Sequence, residues 1–102
     1  MLRDLAAKFE ESSATYVAAN GITRDPDWFL LKLQEELGEL TQASNRLTGR
    51  ARRKGLSEDQ LRLAVADETA DVLGHLLLFA RHHEVDLVAA IERKWRFRLD
   101  VG

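Results

Sequence analysis

Apolar residues recur at steps of three and four along nearly the whole chain, and no segment alternates strictly between apolar and polar residues. The first spacing is typical of amphipathic helices, whereas the second would indicate strands. A single proline interrupts the pattern. The sequence therefore predicts an all-α protein, a four-helix bundle-like fold with helices at roughly 2–20, 26–48, 58–81 and 87–99.

Local signals mark where these helices begin and end. Gly21 follows the first helix, where a left-handed residue ends the last turn. The later helices each start at a side chain that caps a helix N-terminus, namely Asp25 before Pro26, Ser57 with Gln60 three residues on, and Asp86. Between Thr48 and Leu56 the apolar rhythm stops and basic residues follow one another, which predicts a mobile connecting loop.

Each helix carries an apolar stripe that is expected to form the core. The stripes are Leu2, Leu5, Phe9, Tyr16 and Val17; then Leu30, Leu33, Leu37, Leu40 and Leu47; then Leu61, Val65, Val72, Leu76 and Phe79; and last Val88, Ile91, Trp95 and Leu99. A single domain of 102 residues buries only part of its apolar surface. We therefore expect one domain, residues 1–102, that associates into a homo-oligomer.

Composition narrows the compartment and the chemistry. The chain has no cysteine, so it has neither disulfides nor thiolate zinc ligands, which fits a cytoplasmic location. No segment approaches the roughly 20 apolar residues of a membrane span, and an early acid interrupts any signal-peptide pattern. The formal net charge is only −2, but acids cluster near 35–39 and 67–71, and bases cluster at 46–54 and 93–98.

Acidic residues interrupt two of the apolar stripes. Glu68 falls inside the apolar arc of the third helix, with Asp71 and His75 at its border, and burying a bare carboxylate costs several kcal/mol. Glu36 and Glu39 lie along one edge of the leucine stripe of the second helix. Carboxylates from the two helices would then converge, and a divalent cation would relieve their repulsion. Oxygen ligands favour Mg²⁺ or Mn²⁺, and Mg²⁺ usually also binds phosphates.

Structural explanations compete with this interpretation. Acids spaced three apart often form a solvated helix face, and a buried Glu68 would also be satisfied by an arginine or a neighbouring helix terminus. His75 is expected in the core or behind a metal ligand, and His82 and His83 are expected to be ordinary residues at a helix end.

The segment Lys32-Leu-Gln-Glu-Glu-Leu-Gly-Glu39-Leu, followed by Glu68-Thr-Ala-Asp71-Val-Leu, resembles the MazG-like nucleotide pyrophosphohydrolases of the all-α NTP pyrophosphatase superfamily. The shared pattern is Glu-Glu-x-x-Glu, then Glu-x-x-Asp, then a basic ending at Lys94, Arg96 and Arg98. The resemblance covers roughly residues 28–98. It implies a dimeric or tetrameric helical bundle that hydrolyses a nucleoside triphosphate to the monophosphate and pyrophosphate.

The resemblance also implies roles for individual residues. Glu36, Glu39, Glu68 and Asp71 would hold Mg²⁺, and Glu35 would orient or deprotonate the attacking water. Lys32, Lys94 and Arg98 would contact substrate phosphates, and Trp28 and His75 would meet the base or sugar. These groups suffice for hydrolysis without a covalent nucleophile.

Other functions remain open. The third-helix segment is also similar to phosphoribosyl-ATP pyrophosphohydrolase, whose pattern typically carries tyrosine-histidine where this chain has Gly74-His75. A non-catalytic helical interaction module would bind metal without turnover. Di-iron chemistry is disfavoured because Glu39 and Glu68 are not followed by histidine three residues later. Nucleic-acid binding is disfavoured by the negative net charge and by the lack of aromatic residues in the basic loop.

Overall fold

The computed structural model describes residues 1–99, and within them the chain forms four α-helices and no strand. The helices are α1 (Leu2–Ala19), α2 (Pro26–Leu47), α3 (Glu58–His82) and α4 (Leu87–Trp95). The all-α prediction is thereby confirmed. The final three positions of the predicted domain, 100–102, lie outside the described residues. Among the described helices, none has the length and apolar character that crossing a membrane requires.

The predicted cap residues form the expected hydrogen bonds. The Asp25 carboxylate accepts from the backbone N–H of Trp28 at 2.9 Å, immediately before the first turn of α2. Ser57 and Gln60 form a reciprocal capping box at the start of α3. Gly21 adopts φ +64°, and the next N–H reaches back to the Val17 carbonyl at 2.9 Å, which closes α1. Helix boundaries set by local chemistry were therefore predicted closely.

The predicted end of α4 was wrong. The helix stops at Trp95 rather than at Leu99, because Arg96 takes a left-handed conformation with φ +61°. The chain then turns so that the Leu99 N–H donates to the Glu92 carboxylate at 2.8 Å. Trp95, expected in the buried stripe, is 71% exposed, and no residue of α4 is fully buried. The helix makes little contact with the other three.

Helices α2 and α3 form an antiparallel pair, against which α1 packs on the α3 side. The direction follows from contacts along the pair. The Phe29 ring near the start of α2 stacks on the His82 ring at the end of α3, with centroids 4.2 Å apart. Further along, Glu36 approaches His75, and Glu39 approaches Glu68. The pair therefore holds the two predicted acidic segments at the same level.

The core is narrower than the predicted stripes. In α2 the buried line is Phe29, Glu36 and Ala43, spaced seven apart, whereas Leu30 and Leu37 are 48% and 52% exposed. In the other helices, the expected core residues Tyr16 and Leu76 are exposed as well. Among the described residues, the buried apolar side chains are Ala6, Val17, Phe29, Ala43, Leu61, Leu77, Leu78 and Ala80. A single chain therefore covers only part of each apolar stripe.

The basic segment between α2 and α3 is a loop, as predicted, and its residues are exposed. Arg53 donates to the Leu47 carbonyl at 3.0 Å and pairs with Glu58 at 3.2 Å, so it joins the ends of both helices. The predicted mobility of this loop stays a prediction.

Candidate metal and nucleotide site

Three carboxylates converge where α2 and α3 face each other. Glu36 and Glu39 project from α2 one turn apart, and Glu68 projects from α3. One carboxylate oxygen of each lies within 4.8 Å of the others. Oxygens at this spacing surround a volume suited to one divalent cation, which takes several oxygen ligands at 2.0–2.6 Å.

Two of these carboxylates each carry a buried oxygen that has no hydrogen-bond partner, Glu36 Oε2 and Glu68 Oε2. The Glu36 side chain is only 9% exposed. An unpaired buried acceptor is costly, because it gives up its hydrogen bonds to water without replacement. A bound cation would satisfy both oxygens, so the residues present fit a metal better than they fit an ordinary helix interface.

The electrostatics agree with this geometry. Burial raises the pKa of Glu36 to about 6, and the charges of Glu39 and Asp71 contribute to the increase. Burial also raises the pKa of Glu68, with further increases from Glu39 and Asp71. The acids thus disfavour one another's ionised forms, as expected for carboxylates that share a site.

Asp71, the fourth predicted ligand, is not a member of the three-carboxylate group. It is exposed, and it lines a cavity next to the group together with Glu36. Its position one turn after Glu68 places it beside the converging oxygens.

Lys32 and Glu35 stand next to the cluster on α2. Lys32 Nζ lies 3.3 Å from Glu35 Oε1 and 3.7 Å from Glu36 Oε1. Burial acts to lower the pKa of Lys32, but the hydrogen bond to Glu35 and the two carboxylate charges outweigh it and raise that pKa. The Glu35 side chain is 57% exposed, against 9% for Glu36, so the prediction that Glu36 is the more buried acid is confirmed.

His75 lies behind the cluster on α3. Its Nε2 is 3.8 Å from Glu36 Oε1, and its ring centroid is 6.1 Å from that of Trp28. Burial, with the positive charge of Lys32, lowers the pKa of His75. This favours the neutral imidazole. Trp28 and His75 both line the cavity beside the acids, and their predicted role near a base or sugar stays a prediction.

The two cations predicted from the C-terminal segment are placed differently. Arg98 Nε lies 3.9 Å from the Glu92 carboxylate, and the Arg98 side chain is 91% exposed. Lys94 lies in the last turn of α4. Neither residue lines the cavity beside the acidic group, so within one chain the structure brings only Lys32 of the three predicted phosphate contacts to that cavity.

Helix α1 forms one side of the cavity, and the sequence predicts no functional role for it. Phe9, Ser12, Ser13 and Tyr16 line it from that side. A usable signal was present, because the adjacent Ser12 and Ser13 interrupt the face between Phe9 and Tyr16. Periodicity alone predicts Phe9 and Tyr16 as core residues, and this prediction hides the signal from the two serines.

Comparison with protein-family models, with curated proteins and with solved structures found no match.

Proposed function

We propose that this protein hydrolyses a nucleoside triphosphate to the monophosphate and pyrophosphate, using Mg²⁺ held by Glu36, Glu39 and Glu68, with Asp71 beside them. The observation that carries the proposal is the convergence of three carboxylates whose buried oxygens on Glu36 and Glu68 have no partner. The sequence resemblance to MazG-like enzymes supplies the reaction. Three of the acids that carry this resemblance form the three-carboxylate group, and Asp71 lies beside it.

The division of work among the residues follows from their placement. When bound, the metal would neutralise polyphosphate charge and polarise the phosphorus centre. Lys32, at the edge of the acidic group, would contact a phosphate oxygen. Glu35 is exposed and close to the buried acids, so it is the carboxylate with access to water.

The reaction that we propose is a direct hydrolysis. Water adds to the α-phosphorus, and the bond from that phosphorus to the bridging oxygen breaks. The proton of the attacking water passes to Glu35, and pyrophosphate leaves. The products carry all the atoms of the triphosphate and of one water, so no further reactant is needed.

We also propose that two copies associate through an apolar face of the α2–α3 pair. At about 100° per residue, Leu30 and Leu37 lie on one side of the buried line of α2, and Lys32 and Glu39 lie on the other. Because the pair is antiparallel, the exposed Leu73 and Leu76 of α3 fall on the same side as those leucines. A second copy would cover this face without blocking the acids.

The phosphoribosyl-ATP branch fits the site less well. A Cβ at Gly74 would lie 2.7 Å from Phe9 Cε1. The tyrosine typical of that branch at this position would therefore require the Phe9 ring to move. The non-catalytic module remains the alternative of a different class, in which the acids hold a structural ion.

One assay separates these functions. A panel of ribo- and deoxynucleoside triphosphates plus phosphoribosyl-ATP is incubated with Mg²⁺ or with EDTA, and all phosphate products are resolved. We expect monophosphate and pyrophosphate in equal amounts, lost in EDTA, from at least one nucleoside triphosphate. Turnover of phosphoribosyl-ATP alone would select the other branch, and metal binding without any turnover would select the interaction module.

A further inference from the structure

A cavity of about 320 Å³ lies between α1 and the α2–α3 pair. Its volume is at the lower end of the range for small-molecule pockets in proteins. It shares Glu36 and Asp71 with the acidic region, so a ligand in the cavity would lie next to the proposed metal.

The shape of the cavity depends on a close contact between α1 and α3. Gly74 is buried, and the Phe9 ring lies where a side chain at position 74 would start. Glycine therefore lets α1 approach α3 at this level, and Phe9 fills the space between them. Further along α1, Ser12, Ser13 and Tyr16 line the open part of the cavity.

An ion pair fixes α1 against the start of α2. The Arg24 guanidinium donates two hydrogen bonds to the Glu10 carboxylate, at 2.7 and 2.9 Å, and a third to Ser13 Oγ at 3.2 Å. The same guanidinium lies over the Trp28 ring, 5.9 Å from its centroid. The serine side of the cavity and the tryptophan side are thus held by one residue whose charge is already neutralised.

The charges in the cavity disfavour a phosphate group there. Among the described lining residues, Lys32 is the only one with a permanent positive charge, and it is shared between Glu35 and Glu36. The carboxylates of Glu36 and Asp71 line the same cavity, so negative charges outnumber this positive charge. An uncharged, planar group fits this lining, because aromatic side chains offer stacking surface and hydroxyls offer hydrogen bonds.

We infer that the face of α1 bearing Ser12, Ser13 and Tyr16 forms one wall of a nucleobase pocket and selects the base through its hydroxyl groups. This inference rests on the proposed function, since it takes the polyphosphate to point from the cavity toward the acidic group. Ser13 Oγ accepts from Arg24, so its hydrogen remains to donate to a base carbonyl or ring nitrogen. Ser12 is exposed at the same wall and offers both a donor and an acceptor.

Trp28 provides a direct reporter of base binding. The chain has two tryptophans, and the other, Trp95, is 71% exposed and does not line the cavity. In a Trp95→Phe background, nucleosides and nucleoside monophosphates are titrated without metal, with inorganic triphosphate as the probe that lacks a base. We expect saturable quenching of Trp28 by at least one base-containing ligand and none by inorganic triphosphate.

Selectivity is tested with Ser12→Ala and a matched control, Thr15→Ala. Thr15 lies on the same helix but bonds its own Glu11 carbonyl at 3.0 Å and does not line the cavity. Loss of one hydrogen bond should weaken binding of the preferred base about 3- to 10-fold for Ser12→Ala and leave Thr15→Ala unchanged. Circular dichroism establishes that both variants fold.

The possible outcomes distinguish the α1 nucleobase pocket from the proposed hydrolase activity on which it rests. Mg²⁺-dependent turnover with no response of Trp28, or with Ser12→Ala equal to the control for every base, would overturn the α1 pocket and leave the enzyme in place. Quenching and Ser12 selectivity without turnover would support the pocket and contradict the hydrolase. Equal quenching by inorganic triphosphate would overturn the inference, because the cavity would then bind phosphate.

Discussion

Among the individual residues, Glu36 is the one on which the proposed metal site most depends. Its carboxylate is buried between α2 and α3, with Lys32 Nζ 3.7 Å away and Glu39 and Glu68 close by. One cation facing several acids leaves an excess of negative charge, and the Oε2 atom of Glu36 has no partner. The arrangement is unfavourable for the folded chain alone, and a divalent cation, as we propose, would relieve it.

The pH dependence of stability should show this cost. The pKa of Glu36 rises from 4.5 in the unfolded chain to about 6 in the folded chain. The folded state therefore prefers the protonated carboxyl, and the contribution of Glu36 is complete below pH 4.5 and is lost as pH rises through 6. The loss amounts to about 2 kcal/mol at pH 8.

We therefore expect Glu36→Gln to be more stable than the wild type at pH 8 in EDTA, with the difference shrinking toward pH 5. Urea unfolding of both proteins across this pH range measures it. Added Mg²⁺ should stabilise the wild type and leave the variant unchanged. A difference that is independent of pH would show that the carboxyl is not the source.

Gly74 gives a second prediction at this scale. Gly74→Ala places a Cβ 2.7 Å from Phe9, so Phe9 must move, and we expect destabilisation of about 1–3 kcal/mol. The matched control is Gly38→Ala in α2, where nothing lies within 4 Å and alanine should stabilise the helix by up to about 1 kcal/mol.

Combining Gly74→Ala with Phe9→Leu tests the contact itself. The smaller, more flexible leucine should accommodate the new methyl group and reduce the cost of Gly74→Ala. Additive effects in urea unfolding would mean that the two positions do not interact.

Among the four helices, the starts are predictable from the sequence, whereas the buried faces are less so. Asp25, Ser57 and Asp86 cap helices through bonds to neighbours two or three residues away, which a sequence displays directly. The end of α4 depends on a left-handed Arg96, a conformation that arginine rarely adopts and that no neighbouring residue announces. Buried faces depend on which helices meet, and that is decided by tertiary packing.

The same distinction applies to the site. The acids were predictable, because a carboxylate on an apolar stripe of a helix would be buried at a cost. In the fold, Glu36 and Glu68 each keep a buried oxygen without a hydrogen-bond partner. The α1 wall of the cavity was not predictable, because nothing in the sequence indicates that α1 packs over this side of α3. Phe9 and Tyr16 were assigned to the core on periodicity, whereas they line the cavity, and Tyr16 is 59% exposed.

A single chain leaves much of its apolar surface exposed. The radius of gyration is 16.0 Å, against about 13 Å expected for a compact domain of this length. Leu30 and Leu37 of α2 and Leu73 and Leu76 of α3 remain about half exposed. Helix α4 makes little contact with the other helices. Association of two copies would cover the leucines and complete the core.

We expect light scattering to report a dimer for the wild type and a monomer for Leu37→Glu combined with Leu73→Glu. The charged side chains would be buried without partners if the leucine face were an interface. The control is Leu63→Glu, since Leu63 is 62% exposed on a different side of α3 and should leave the dimer intact. A dimer that survives the double substitution would place the interface elsewhere.

We propose that water attacks the α-phosphorus of a nucleoside triphosphate at the acidic site. The most direct test is hydrolysis in ¹⁸O-labelled water with Mg²⁺, followed by mass spectrometry of both products, alongside the Glu68→Gln variant. We predict one labelled oxygen in the monophosphate, none in the pyrophosphate, and no turnover by a folded Glu68→Gln protein. Label in the pyrophosphate would contradict attack at the α-phosphorus, and unchanged turnover by the variant would contradict a role for Glu68.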